Sequence, residues 1–416
     1  AGYVASSFTL GRFLGGYFWG CVADRIGRKP VVIIGLLSIT TGFIAFGTSR
    51  TYSMALAFVF GLMNGIMPAL RTSLKEICWP EHVVRGMTYV SGARATGIVA
   101  GTGIGGLLAQ PALHYPGVFS PAGLFFGQVD GYPFLLPNLV GALLALHCLF
   151  LVLLYLPETR DYKKQRIRQD TFLVGETDSE RYEATPGLLG PGGLLATPIV
   201  KVVRFLAVLF SYLEIGFYDV YPLLALSTPD VGGLGWNAVQ VGKEHDAGSG
   251  RFVLVMTGAV TAPCQLFLFP PLIKMVGVMT WQRLGCGVGV AVFLAIPSIR
   301  ILSQNYRSLF VLSVAANSLV NWFCAAVNLV LTIGSTTLVP NHMRGKLGGL
   351  FNTAESLGRF LGPAGYAITY AWSISPSTHE AYGGWVDYRF VFYASAAALA
   401  VVAVTAWGTL TLETLI

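Results

Sequence analysis

The chain has 416 residues, of which 54% are hydrophobic and only 11% charged. Soluble domains run to about 25% charged residues, so this composition excludes a water-soluble globule. The net charge of +7 does not point to nucleic acid, because no soluble domain gathers the cations on one face.

A membrane-spanning helix needs about 20 apolar residues. Eleven such runs are predicted: 2–22, 31–48, 54–75, 88–109, 134–156, 202–226, 252–273, 279–299, 308–333, 347–371 and 390–411. The runs are continuous rather than alternating in polarity, which excludes a β-barrel. The first ends in Gly20-Cys21-Val22-Ala23-Asp24-Arg25-Ile26-Gly27-Arg28-Lys29-Pro30, and the cations of that short loop place it on the cytoplasmic side. The fourth contains Arg94 and the glycine-rich stretch 97–106. Between the fifth and sixth lies a polar stretch rich in Gly and Pro, expected as a flexible cytoplasmic linker over 161–196. It separates an N-terminal bundle, 1–160, from a C-terminal bundle, 197–416. The six cysteines lie in or beside apolar runs with no metal-ligand spacing, so they read as packing residues, and no metal or cofactor is expected. A heptapeptide recurs: Thr-Leu-Gly-Arg-Phe-Leu-Gly at 9–15 and Ser-Leu-Gly-Arg-Phe-Leu-Gly at 356–362.

The loop Gly20, Asp24, Arg25, Gly27, Arg28, Lys29 resembles the G-x-x-x-D-R-x-G-R-[RK] loop of major facilitator superfamily transporters. The stretch Gly97, Gly101, Gly105, Gly106 resembles the antiporter motif of the drug/proton branch, with Thr102 where the motif has Pro, while Gly362-Pro363 keeps the Gly-Pro pair near the other end. Ala57 stands where many antiporters carry an Arg. The runs Gly2-Tyr3-Val4-Ala5-Ser6-Ser7-Phe8, Trp19-Gly20, Ala109-Gln110-Pro111 and Leu156-Pro157-Glu158-Thr159 resemble the zinc-induced-facilitator-like group. The resemblance implies an all-α membrane protein of two six-helix bundles related by pseudo-two-fold symmetry. The eleven runs would then be helices two to twelve, with the first helix upstream of Ala1. It implies a monomeric secondary transporter in a vacuolar or plasma membrane with a cytoplasmic C-terminus, exchanging a small organic solute for protons. A transporter-fold receptor without turnover, or a uniporter, stays as the alternative. An enzyme is not expected, since no nucleotide-binding loop or catalytic set is present.

Charged groups inside a bilayer face a cavity or a partner. Helical spacing groups them into stripes: Asn64, Pro68, Arg71 and Lys75 on the third run, Ser211, Glu214, Tyr218 and Tyr221 on the sixth, Ser313, Asn317, Asn321 and Asn328 on the ninth. The expected substrate cavity is Asn64, Arg71, Glu214, Tyr218, Tyr221, Asn317, Asn321 and Asn328. Glu214 is the leading candidate to load and release a proton. Arg12, Arg94, Asp219, Glu355 and Arg359 are coupling or seam candidates. Glu355 and Arg359, four apart, suit an intrahelical ion pair. The resemblance implies that the cytoplasmic loop is a conformational latch in which Asp24 faces the start of the tenth run and Arg28 can pair with it.

Overall fold

A computed structural model describes residues 2–49, 52–114, 119, 131–159, 198–228, 232–235, 249–302, 305–337, 344–382 and 386–409. The expected linker over 161–196 lies outside the described residues. The described chain is helical: α1 Gly2–Ile26, α2 Arg28–Thr48, α3 Ser53–Leu62, α4 Ile66–Ile77, α5 Pro80–Leu108, α6 Pro111–His114, α7 Leu135–Tyr155, α8 Pro198–Leu226, α9 Ser249–Pro263, α10 Phe269–Val276, α11 Val278–Ala295, α12 Ile299–Leu302, α13 Tyr306–Thr337, α14 Arg344–Ser373, α15 Pro376–Tyr382 and α16 Phe390–Thr409. Each of the eleven predicted runs contains a helix.

Three runs are not continuous α-helices; the eighth passes through a 3-10 turn at Ile296–Ser298, between α11 and α12. The third divides into α3 and α4 at residues 63–65. Pro68 explains the break: it has no N–H to offer the carbonyl of Asn64, and its ring crowds that carbonyl. The freed Leu62 carbonyl accepts a hydrogen bond of 2.8 Å from the Trp19 indole on α1. A membrane interior requires such a replacement, because a lost backbone bond finds no water there. The seventh run carries a π turn at Cys264–Leu268, directly after Pro263, between α9 and α10. Pro263 likewise removes a backbone donor, and a single π turn absorbs the misfit.

α1 lies along α3 on one side and α14 on the other; α8 packs on α14 and α16; α2 pairs with α7; α5 crosses α9. A Cβ on Gly349 of α14 would collide with backbone atoms of Gly16 and Gly20, so only glycine permits this approach to α1. The larger apolar core, with Leu206, Phe210, Phe217, Phe293, Phe323 and Leu399, is in the C-terminal part. A smaller one joins Trp19, Ala23, Val31, Val32 and Ala69.

Among the described residues, six passages are long and apolar enough to cross a membrane, including α2, α7 and the α3–α4 pair. Leu143, Phe150 and Leu154 on α7 are more than half exposed, as lipid-facing side chains are. By contrast α1, α5, α8 and α14 do not meet that measure among the described residues. They carry Arg12, Arg94, Glu214, Glu355 and Arg359, and they meet one another at the centre.

Candidate functional site

A cluster of six charged side chains occupies the centre of the molecule. Glu214 on α8 accepts from Arg94 on α5 at 2.7 Å and from Arg359 on α14 at 3.3 Å. Its Oε1 also accepts from the Asn328 amide on α13 at 3.1 Å. Glu355 on α14 pairs with Arg71 on α4 at 3.3 Å and, at a longer 3.8 Å, with Arg359 one turn along its own helix. Arg12 on α1 donates through Nη2 to Asn352 Oδ1 on α14 at 2.8 Å and interacts electrostatically with Glu355, Arg359, Arg71 and Arg94. The intrahelical Glu355–Arg359 pair is therefore the longest contact of the set; of the shorter ones, Arg94–Glu214, Arg71–Glu355 and Arg12–Asn352 cross from helices before residue 160 to helices after 197.

The acids and the bases differ in what they show to solvent. The side chains of Glu214 and Glu355 are 4% and 3% exposed, whereas those of Arg94, Arg71 and Arg359 are 24%, 14% and 10% exposed. Four guanidiniums stand against two carboxylates, so the cluster carries a surplus of positive charge and turns it outward. Buried ion pairs survive desolvation only with good geometry and further hydrogen bonds. Glu214, held by two guanidiniums and an amide, meets that condition.

The polar stripes of α8 and α13 form a ladder rather than one open wall. Antiparallel packing brings Glu214 to Asn328, and Tyr218 donates to Asn321 Oδ1 at 2.8 Å. Further along, Tyr221 lies beside Ser313 and Asn317. Asn317 and Asn321 each bond a backbone carbonyl one turn back, Ser313 O and Asn317 O. Tyr218 and Asn321 are half-buried and line the centre. Tyr221 and Asn317, expected in the cavity, are instead sealed in the C-terminal part, where Tyr221 packs on Phe217 in the apolar core. Asn64 sits at the α3–α4 break, where its side chain makes no hydrogen bond among the described residues. Asp219 is exposed and away from the cluster, since it lies on the opposite face of α8 from Glu214 and Tyr218.

The cytoplasmic loop forms a second cluster. Arg28 is 1% exposed and bonds Asp24 at 2.8 Å, Glu76 on α4 at 3.0 Å and the Ala23 carbonyl at 2.6 Å. Glu158, just beyond α7, accepts from the backbone N–H groups of Arg28 and Lys29, each at 3.1 Å. That carboxylate caps the positive end of α2. Gly27 takes φ +108°, and a Cβ there would strike the Glu158 carboxyl, so glycine is required twice over. Thr159 donates to Glu76 at 2.5 Å, and Lys29 Nζ reaches the Leu153 carbonyl at 3.0 Å. Arg25 is exposed. Asp24 pairs with Arg28; the expected contact with the start of α14 falls on side chains outside the described residues, and α14 meets α1 through Gly16, Gly20 and Gly349.

In the glycine motif of α5, a Cβ on Gly97, Gly101 or Gly105 would meet nothing within 4 Å. Gly362, beside Pro363 in α14, is packed on Ile215 and Tyr212 of α8. Sequence reading missed Asn352, Glu76, Glu158 and Trp19 as partners. Asn352 had a signal, lying on the same α14 face as Glu355 and Arg359; the others act from elements distant in sequence.

A sequence model of the Major Facilitator Superfamily matches residues 1–363. The chain is 32% identical over 389 residues to a probable peptide/nitrate transporter of Arabidopsis thaliana, covering 90% of this chain and 75% of the relative. It is 30% identical over 384 residues to Protein ZINC INDUCED FACILITATOR 1 of the same plant, covering 90% and 76%. Its fold is similar to the solved structure of the proton:xylose symporter XylE, with a TM-score of 0.67 and 13% identity over 100% of this chain and 88% of the other.

Proposed function

The chain belongs to the major facilitator superfamily of integral membrane transporters, and on that premise we propose that it carries a small organic solute by alternating access, driven by a proton gradient. The solute binds between the parts 1–160 and 197–416, and the two parts rock to expose it to each side in turn. The observation that carries this reading is the pair of ion contacts crossing between those parts, Arg94–Glu214 and Arg71–Glu355. Both must rearrange if the parts separate, and neither is needed by a rigid receptor. Glu214 is the coupling group. Protonating it removes the partner of Arg94 and Arg359 at one stroke, which loosens the closure from both sides. The cluster 24–29 with Glu76 and Glu158 braces the cytoplasmic end.

Exchange of solute for protons is the direction the family resemblance implies. The outward-facing surplus of guanidinium charge favours a second reading, in which an anion and a proton bind together and travel the same way. The experiment is uptake into proteoliposomes under imposed pH gradients. Under exchange, an acidic lumen drives solute in; under co-transport it drives solute out. Glu214→Gln should abolish the dependence on the gradient while leaving solute counterflow, and an unaltered dependence removes Glu214 from the coupling role. A receptor without turnover binds solute and accumulates none.

A further inference from the structure

The repeated heptapeptide places two arginines, Arg12 and Arg359, in the same cluster, but their surroundings are unequal. Arg359 has two carboxylates, Glu214 and Glu355. Arg12 has no carboxylate within ion-pair distance among the described residues; its hydrogen-bond partner is the neutral Asn352. Because Asn352 Oδ1 accepts from Arg12, its Nδ2 must point a donor elsewhere, and that donor is buried without an acceptor. The Arg12 Nε–H is likewise buried without an acceptor. Asn352 is only 2% exposed. An unmet buried donor is expensive, and more so on a charged group. Two such donors, on side chains already joined by a 2.8 Å hydrogen bond, beside a cluster that carries more guanidiniums than carboxylates, share one remedy: an anion with at least two acceptor oxygens.

We propose that Arg12 and Asn352 together are the docking point for a carboxylate group of the transported solute, which is therefore an organic acid in its anionic form. This rests on the transporter reading above and names its substrate class. Arg12 stands on α1 and Asn352 on α14, so a carboxylate lodged there touches both moving parts at once. Arg71 and Arg94, the more exposed guanidiniums, give the approaching anion a cationic face. Planar guanidinium geometry matches carboxylate better than a lysine ammonium does. The anion supplies negative charge beside Glu355, which weakens the hold of Glu355 on Arg71 and so links occupancy to the seam.

The test uses the full chain in proteoliposomes and nanodiscs with matched pairs of probes: succinate against succinamide, benzoate against benzamide, citrate against glycerol. At least one carboxylate should raise the unfolding temperature and accumulate in vesicles, its neutral partner doing neither. Arg12→Gln should weaken the apparent affinity by about tenfold or more, the size of one lost charge-assisted hydrogen bond, and Arg12→Lys should restore only part of it. Asn352→Asp covers the case in which Arg12 variants fail to fold. Its built-in carboxylate should occupy Arg12, raise the unfolding temperature and abolish the response to added carboxylates. Wild-type carboxylate affinity in Asn352→Asp overturns the proposal. Accumulation of the neutral probes alone overturns the anion site and leaves the transporter reading standing, whereas accumulation of no probe of either kind, with none moving the unfolding temperature, overturns both.

Discussion

The two buried charge clusters look alike in composition and differ in what they join. The cytoplasmic cluster connects α1, α2, α4 and the end of α7, all before residue 160, and acids outnumber Arg28 within it. The central cluster connects α4 and α5 to α8 and α14, and bases outnumber acids. In the first, Arg28 is fully enclosed and the contacts among the described residues stay before residue 160. In the second, the arginines are partly exposed and two ion pairs cross from before residue 160 to beyond residue 197. A cluster confined to one part can stay closed through a cycle. One that spans two parts must open for them to move.

That contrast can be broken or sharpened experimentally. The largest effect is expected from Arg28→Ala, which leaves Asp24 and Glu76 without their buried cation and should cost about 3–5 kcal/mol of stability. Thermal unfolding in nanodiscs measures it, and solute affinity in the folded fraction should hold. A stable but inactive Arg28→Ala protein would show that the two clusters act as one. Glu214→Gln comes next. It leaves two arginines short of their counter-charge, a loss of about 2–4 kcal/mol that should appear mainly in gradient-driven uptake. If gradient-driven uptake survives and only stability falls, the central cluster is a fastener like the cytoplasmic one. A double-mutant cycle on Arg94→Gln and Glu214→Gln should return a coupling of about 1–3 kcal/mol in the closed protein. The coupling should shrink when the seam is held open by a bulky cysteine label on α5. Trp19→Phe removes the donor to the Leu62 carbonyl and should cost about 1 kcal/mol, read from unfolding of the α3–α4 break by hydrogen exchange. Asp219→Asn, exposed and remote from both clusters, should change stability by less than about 0.5 kcal/mol and leave uptake unaltered. A larger effect there would reopen its place among the seam candidates.

Much of the central cluster was legible because charge is rare in a bilayer. Arg12, Arg71, Arg94, Glu214, Glu355 and Arg359 each stand out in apolar runs, and each finds its place at the centre. Their pairing was not legible. Glu355 and Arg359 are spaced for a helical pair, yet the shorter bond to Glu355 comes from Arg71, 284 residues away in sequence. Tyr221 and Asn317 share helical stripes with Tyr218 and Asn321, but the C-terminal core encloses the first two and leaves the others half-buried at the centre. The pairing of Asp24 with Arg28 was legible in the loop, whereas Glu76 and Glu158 arrive from elements whose approach no local pattern encodes. Gly97, Gly101 and Gly105, which the resemblance casts as a helix-bending motif, lie where an added Cβ would meet nothing within 4 Å.

The order of elements, their apolar runs and the family follow from the chain alone. Hydrophobic length, backbone donors and charge cost are properties of each residue and its near neighbours, so they can be read in one dimension. Which guanidinium meets which carboxylate, and which donors are left without an acceptor, was decided only when α1, α5, α8 and α14 came together. Those outcomes depend on distances between helices, which are set by glycine contacts and tilt rather than by spacing along the sequence.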